Sequence, residues 1–86
     1  MSSTTFDYAA ISEKAKAALA DEVPNAMVVT EPGFGGRVHV KIVSDALNGM
    51  TEREKQACIW EILERRLGAD AQAISFVLPY GEDELP

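Results

Sequence analysis

The sequence predicts a two-layer α+β domain, in which a three-stranded mixed sheet carries its helices on one face. Residues 37–42 and 71–78 alternate apolar and polar side chains with the period of two that is typical of half-buried strands. Residues 7–21 and 51–67 repeat apolar positions every three or four residues, as amphipathic helices do. The helical crossover between these two strands is long enough to make them parallel, and the predicted order is αββααβ.

The length and composition predict one small globular unit. The 86 residues suffice for a single domain, and 47% hydrophobic with 26% charged residues is ordinary globular composition. No apolar run approaches the length of a membrane helix, and residues 1–8 lack the features of a signal peptide, so a cytoplasmic protein without membrane contact is expected. We expect a disordered N-terminus at residues 1–6, one domain at 7–79 and an acidic C-terminal tail at 80–86.

The first half of the chain predicts a helix followed by a hairpin. Asp7 is a suitable N-cap for the first helix, and Pro24 ends it because the residue before a proline is disfavoured in helical conformation. Residues 26–30 contain a β-branched run that predicts a short strand. Residues 31–36, with one proline and three glycines, are expected to form a mobile connection to the second strand.

The second half predicts two helices and the last strand. A short helical turn is expected to end at Leu47, before Asn48-Gly49. The run Thr51-Glu52-Arg53-Glu54 is a capping box that predicts the start of a long helix, and Gly68 is suited to its end. In the last strand, the alternation predicts that Ile74, Phe76 and Leu78 share one face.

Charge and reactive residues restrict the function. The net charge of −6 and the pI of about 4.6 oppose binding to a phosphate backbone, so nucleic acid is the less favoured partner. The single cysteine, Cys58, excludes an intramolecular disulfide. The single histidine, His39, lies on a strand predicted to face solvent, with no carboxylate two residues away to orient it as a catalytic base. A non-enzymatic protein is expected.

The candidate binding residues lie on the middle strand and in the loop before it. Arg37, His39 and Lys41 alternate with the apolar residues of this strand and are predicted to share its exposed face, where they could bind a phosphate, a carboxylate or an acidic patch of a partner. Gly35 and Gly36 of the loop are included in the predicted partner-binding set. The competing interpretation is an ordinary solvated face of a half-buried strand.

Three segments resemble the BolA family. The run Val40-Lys41-Ile42-Val43-Ser44-Asp45-Ala46-Leu47-Asn48-Gly49-Met50-Thr51 is similar to the strand-and-turn signature of that family. Lys55-Gln56 and Ile59-Trp60 resemble the branch that carries Lys-Gln at the start of its long helix, and Ala71-Gln72-Ala73-Ile74-Ser75 falls where the family has Ile-His-Ala-Leu-Ser. The resemblance implies a KH-like fold of the second type.

The resemblance also implies a small non-enzymatic adaptor or regulator. BolA-like proteins bind monothiol glutaredoxins and share a [2Fe-2S] cluster with them, and some are DNA-binding regulators linked to stress. This chain departs from the family at both expected cluster ligands: Gln72 stands where the family has a histidine in the third strand, and the other ligand position falls near Arg37. An amide is a poor iron ligand, so we expect no metal and no cofactor of its own, and a shared cluster is disfavoured.

The leading hypothesis is therefore a BolA-like adaptor in an iron–sulfur or stress-related pathway, without the usual cluster ligand. Its protein partner, of the monothiol glutaredoxin kind, is expected to bind at the open sheet face and the preceding loop. Two alternatives stay open: a nucleic-acid-binding transcriptional regulator, and a divergent paralogue that has kept the fold and lost the family activity.

Overall fold

The computed structural model of the protein describes residues 6–85, so most of the predicted disordered segment, residues 1–5, lies outside the described residues. Asp7 caps the first helix as predicted, since its side chain accepts a hydrogen bond from the Ala10 N–H at 3.2 Å. None of the helices in this part of the chain is both long and apolar enough to span a bilayer. The helices and strands are α1 (Tyr8–Glu22), β1 (Met27–Pro32), β2 (Val38–Val43), α2 (Glu52–Leu67) and β3 (Ile74–Tyr80).

The sheet has the predicted mixed topology. Its strand order is β1-β2-β3; β1 pairs antiparallel with β2, and β2 pairs parallel with β3. The parallel pairing follows from the helical crossover, because α2 carries the chain back to the end of the sheet where β2 begins. The predicted α+β fold with a three-stranded mixed sheet is confirmed.

The middle strand separates a buried face from a wet one, as its alternation predicts. Val38, Val40 and Ile42 are fully buried in the core, whereas Lys41 is exposed. The core lies between this face and the two helices, where α1 contributes residues such as Leu19, and α2 contributes residues such as Ile59 and Leu63. Because the helices cover one face only, the opposite face of the sheet is open to solvent.

The predicted face of β3 is wrong beyond its first residue. Ile74 is buried, but Phe76 and Leu78 are exposed, and Val77 takes the buried position instead. The cause is an irregularity in the β2–β3 pairing, where Val38 pairs with Ile74 but His39 pairs with Phe76. One additional residue in a strand moves every later side chain to the other face. The strand also begins at Ile74, three residues later than predicted, because residues 68–73 form a 3₁₀ segment.

Two short elements differ from their predicted form. The short helix between β2 and α2 is a single 3₁₀ turn, Asp45–Leu47, which Ser44 caps by accepting a hydrogen bond from the Ala46 N–H at 3.0 Å. The acidic C-terminal segment does not lead away from the domain, since Glu82–Glu84 form another 3₁₀ turn. This turn is tied to the domain by a hydrogen bond from the Asp83 N–H to Asn48 Oδ1 at 3.2 Å.

A network of ion pairs joins α1 to α2. Arg65 and Arg66 on α2 both reach Glu22 at the end of α1, with N···O distances of 2.5 and 2.9 Å. Arg66 also pairs with Asp21 at 3.0 Å, and Arg65 pairs with Glu61 at 2.9 Å. Hydrogen bonds from Arg65, and then from Arg66, lower the pKa of Glu22 to about 2.

Glu22 therefore makes the stability of the fold depend on acidity. A carboxyl whose pKa is lower in the folded state stabilises the fold above its ordinary pKa and loses that contribution as the pH falls toward its folded value. We expect Glu22→Gln to lower the Tm modestly near neutrality, and the difference from the parent protein to vanish between pH 4.5 and about 2. Thermal unfolding followed at a series of pH values measures this, and a difference that persisted at the lowest pH would contradict it.

Candidate functional site

The face of the sheet that is not covered by helices, here called the open face, presents side chains from all three strands. Three accessible apolar side chains line a shallow depression of about 120 Å³. Val29 is 47% exposed, and Phe76 and Leu78 are each 43% exposed. The polar side chains around the depression are Glu31, His39 and Lys41. A cluster of exposed large apolar side chains with a polar rim is typical of a protein-binding surface.

The imidazole of His39 is held in place near the centre of the open face. Its ring stacks on Phe76, with ring centroids 4.2 Å apart and planes inclined by 29°. The backbone of Gly33 lies beside the ring, where a β-carbon would come within 2.6 Å of His39 Nε2. His39 is consequently half-buried. Its ring extends the aromatic surface of Phe76, and its polar atoms are only partly accessible to a partner.

The Lys41 ammonium is the exposed cation of the open face. It lies 5.7 Å from the centroid of the Tyr80 ring, within the range of a cation–π interaction. It forms no ion pair with any carboxylate in residues 6–85. Its charge is therefore available to an acidic group that approaches the apolar depression.

The β1–β2 connection is a short closed turn. β1 continues to Pro32, beyond the predicted strand end, and the Gly33 N–H donates to the Arg37 carbonyl at 2.7 Å. A 3₁₀ turn, Phe34–Gly36, fills the space between them. The predicted mobile connection is thus reduced to a hairpin tip, and Phe34 stands at this tip with 94% of its surface exposed.

The predicted site glycines have separate structural roles. Gly35 and Gly36 both adopt positive φ, at 69° and 80°, a region that glycine enters without the strain a β-carbon causes. The Phe6 N–H donates to the Gly35 carbonyl at 2.9 Å, so the segment before α1 closes against the hairpin tip. A β-carbon on Gly36 would collide with the Phe6 carbonyl, whereas one on Gly35 would meet nothing within 4 Å.

Arg37 lies apart from the depression on the open face. Its Nη1 donates to the carbonyl of Gln72 at 3.1 Å, and its guanidinium carbon lies 5.2 Å from the centroid of the Phe6 ring. Of the three cationic or titratable residues predicted to act together, the structure brings His39 and Lys41 to the depression, and Arg37 braces the N-terminal segment and the loop before β3.

Sequence reasoning missed the apolar half of this site. The predicted alternation of β3 put Phe76 and Leu78 on the same face as Ile74, which is buried, and Phe34 was treated as part of a mobile connection. A phenylalanine between glycines in a short turn has no neighbouring strand or helix to bury it, and this signal could have identified Phe34 as exposed. The register of β3 had no comparable signal, because the irregularity follows from its pairing with β2.

The described residues do not assemble a metal centre of their own. Within residues 6–85, no group of three or more His, Cys, Asp or Glu side chains is placed to hold a metal ion. Cys58 is half-buried on α2 and packs against the core.

Comparison with known proteins identifies the fold. Neither the known protein-family models nor the curated protein sequences match this chain. Among solved structures, BolA1 from Arabidopsis thaliana matches with a TM-score of 0.69 and 18% sequence identity, and the match covers 88% of this chain and 96% of that chain. At this level of identity the likeness concerns the fold, and the predicted BolA-like fold is confirmed. The more specific KH-like classification stays a prediction.

The residues at the two expected ligand positions do not fit an iron–sulfur cluster. Arg37 and Gln72 do lie side by side, joined by the 3.1 Å hydrogen bond from the guanidinium to the Gln72 carbonyl. Clusters are held by thiolates or imidazoles, whereas a guanidinium is a cation without a lone pair to donate and an amide is a weak ligand. The side chains at these two positions therefore cannot hold the iron of a cluster.

Proposed function

We propose that this chain is a BolA-like, non-enzymatic adaptor that binds a protein partner of the monothiol glutaredoxin kind. The binding surface consists of the open face and the hairpin tip, and the chain contributes no ligand to a cluster. The cytoplasm and an iron–sulfur or stress-related pathway are the setting that the BolA-like fold supports for such an adaptor. The observation that carries the proposal is the exposed apolar surface formed by Phe34, Val29, Phe76 and Leu78.

Leaving these apolar side chains exposed to water is energetically unfavourable. In a domain of 86 residues most large apolar side chains are needed in the core, yet here four of them remain accessible next to each other or at the adjoining tip. Covering them with a partner recovers the free energy of burial that folding leaves unused, at roughly 25 cal/mol per Å² of apolar surface. Aromatic anchors such as Phe34 are the residues that most often dominate a protein interface.

The charged and polar side chains at the depression indicate which groups the partner should carry. Lys41 and the partly accessible imidazole of His39 border the depression, and both can bond to an acidic or acceptor group. We therefore expect the partner to place an apolar or aromatic side chain in the depression and a carboxylate beside Lys41. The net charge of −6 of the whole chain favours a partner with a basic surface around that contact.

Backbone amide shifts test the proposed surface directly. Addition of a monothiol glutaredoxin to the isotope-labelled protein should move the amide signals of residues 31–41 and 74–78, and leave those of the helices largely unchanged. A flat response across these two segments, or shifts confined to α1 and α2, would contradict the proposal. A glutaredoxin complex that forms without colour after anaerobic reconstitution with iron and sulfide would support the absence of cluster ligands.

Phe34 is expected to be the main anchor. The Phe34→Ala substitution removes an exposed ring that makes little contact within the chain, so it should weaken binding to the glutaredoxin by about tenfold or more while leaving the Tm nearly unchanged. Leu85→Ala is the matched control, because Leu85 is a 45% exposed apolar residue that follows the opposite end of the sheet. Isothermal calorimetry compares the two, and an equal effect of both substitutions would rule out Phe34 as an anchor.

Salt dependence distinguishes the nucleic-acid alternative. Binding to a phosphate backbone weakens steeply with salt, because each neutralised phosphate releases counterions. Within the described residues, Lys41 is the one Lys or Arg that lines the depression, so a steep dependence is not expected. A fluorescence-anisotropy titration with duplex DNA that showed strong, steeply salt-dependent binding would favour the regulator over the adaptor.

A further inference from the structure

The free edge of β1 carries unpaired backbone groups. Among residues 6–85, β1 is an outer strand and pairs only with β2. The bond from the Gly33 N–H to the Arg37 carbonyl fixes which residues of this hairpin are hydrogen-bonded pairs, and by alternation Val28 and Thr30 direct their N–H and C=O groups away from β2. Pro32 agrees with this pattern, since its missing N–H would lie on the outer edge. The hydrogen bonds of residues 6–85 outside the β1–β2 ladder include none to the Val28 or Thr30 backbone.

This edge is accessible from the side of α1. A groove of about 420 Å³ separates the helix from the strand. Three hydroxyls tie the two elements together at one end of it: Thr30 Oγ1 lies 2.6 Å from Ser12 Oγ and 3.1 Å from Tyr8 Oη. At the other end, Glu13 and Lys16 line the groove from the helix.

From these observations we propose that two copies of this chain associate through the β1 edge, by antiparallel pairing of β1 with itself about a two-fold axis at Val28. In this register, Thr30 of each copy faces Ala26 of the second copy, and Val28 faces its own equivalent. Pro32 falls outside the paired segment, so every outward-directed N–H within it finds a carbonyl. The three-stranded sheets become one continuous six-stranded sheet.

The charges on α1 match this register. Thr30 contacts Tyr8 and Ser12, so it lies beside the first turns of α1. Val28 is two strand residues away, about 7 Å, which corresponds to four or five residues along the antiparallel helix. The two-fold axis therefore passes the stretch of α1 between Glu13 and Lys16.

A two-fold axis perpendicular to the sheet sets the two copies of α1 antiparallel on the same face of the sheet. Lys16 of each copy then faces Glu13 of the other. Within one copy this pair is loose, at 3.6 Å, with 42% and 77% of the two side chains exposed, so exchanging partners costs little. Each copy thus presents one positive and one negative side chain that match those of a second copy across the axis. This complementarity favours a second copy of the chain over an unrelated strand as the partner that pairs with the β1 edge.

A charge-swap experiment tests the association. Sedimentation velocity of the parent protein from micromolar to millimolar concentration should show a monomer–dimer equilibrium. Lys16→Glu and Glu13→Lys should each weaken self-association by about tenfold, because each creates two like-charge contacts across the axis. An equimolar mixture of the two variants should form heterodimers at least as well as the parent protein forms dimers, since all cross-axis contacts are then attractive. Both side chains are on the surface, so circular dichroism should show unchanged folding.

Amide exchange identifies the surface independently of the charges. The Val28 and Thr30 amides should become protected as the protein concentration rises. A parent protein that stays monomeric throughout, or a mixture of the variants that fails to form heterodimers, would overturn the proposal. Association that leaves the Val28 and Thr30 amides unprotected would place the interface elsewhere. Protection of these amides only after a glutaredoxin is added would assign the edge to that partner instead.

Discussion

Replacing Glu84 with glutamine should destabilise the fold more than the same neutralisation of Glu82 or Asp83 in the acidic C-terminal segment. Glu84 Oε1 lies 2.5 Å from the ammonium of Lys55, whose side chain is only 2% exposed. The next carboxylate, Glu52, is 3.6 Å from the same ammonium. The Glu84→Gln substitution removes the nearest counter-charge but leaves the charge of Lys55 in place. An incompletely compensated buried charge is among the costliest defects in a folded protein.

Matched variants separate this effect from a loss of surface charge. Glu82→Gln removes the same charge from an exposed side chain of the same turn and should change the Tm little. Lys55→Met removes the buried charge and fills its volume, so combining it with Glu84→Gln should restore most of the lost stability. Thermal unfolding of the parent, Glu82→Gln, Glu84→Gln, Lys55→Met and the double variant measures the coupling between Lys55 and Glu84. Equal Tm values for the two glutamine variants would show that Lys55 does not depend on Glu84.

The Lys55–Glu84 pair also predicts the pH range in which the Tm difference is largest. The hydrogen bond to Glu84 raises the pKa of Lys55, and the hydrogen bond from Lys55 lowers the pKa of Glu84. The carboxylate contributes stability above its ordinary pKa of 4.5 and loses it as the pH falls, whereas the ammonium contributes stability below 10.5 and loses it as the pH rises. The Tm difference between the parent protein and Glu84→Gln should therefore be largest between these limits and shrink in acid.

Replacing Gly36 with alanine should have the second large effect, because two costs coincide at this position. Its φ of 80° would force alanine into a left-handed conformation, at about 1–2 kcal/mol. The new β-carbon would also collide with the Phe6 carbonyl, so residue 6 has to move. That movement breaks the hydrogen bond from the Phe6 N–H to Gly35, and it removes the ring that lies against Arg37.

Gly35→Ala is the control for the collision. Gly35 has a comparable φ of 69° but open space around its α-carbon. Alanine at this position is therefore destabilising only through its left-handed backbone conformation, without a collision. Urea unfolding should show a larger loss of unfolding free energy for Gly36→Ala than for Gly35→Ala. Amide exchange at Phe6 should accelerate mainly in the Gly36 variant, and similar exchange in both variants would mean that Phe6 is not held by this contact.

Several elements were predictable because their determinants are local. Thr51 and Glu54 satisfy each other's backbone N–H groups within one turn, at 3.1 and 2.8 Å, and the start of α2 follows from these two residues alone. The alternation in β2 fixes its buried face, since a strand with one apolar side has a single favourable orientation on a core. The predicted presence of His39 and Lys41 on the open face rested on the same alternation, and both lie there.

Other features depended on partners that are distant in sequence. The irregularity that exposes Phe76 arises from how β3 pairs with β2, and no pattern within β3 records it. The sequence pattern predicts Lys55 to be an ordinary polar residue of an amphipathic helix. It is buried because the C-terminal turn packs over it, and its ammonium donates to Glu84, 29 residues away. Arg37 was predicted to act beside His39, but a carbonyl 35 residues away, that of Gln72, holds its guanidinium elsewhere.

The amino-acid sequence by itself determined the α+β class, the order of the elements and the cationic residues of the middle strand, because period, capping and turn chemistry act within a few residues. Only the tertiary structure decided which apolar side chains remain exposed around them, and that the acidic end closes over Lys55. Strand register and long-range ion pairs depend on segments that come into contact only when the chain folds. The sequence of one segment therefore does not predict them.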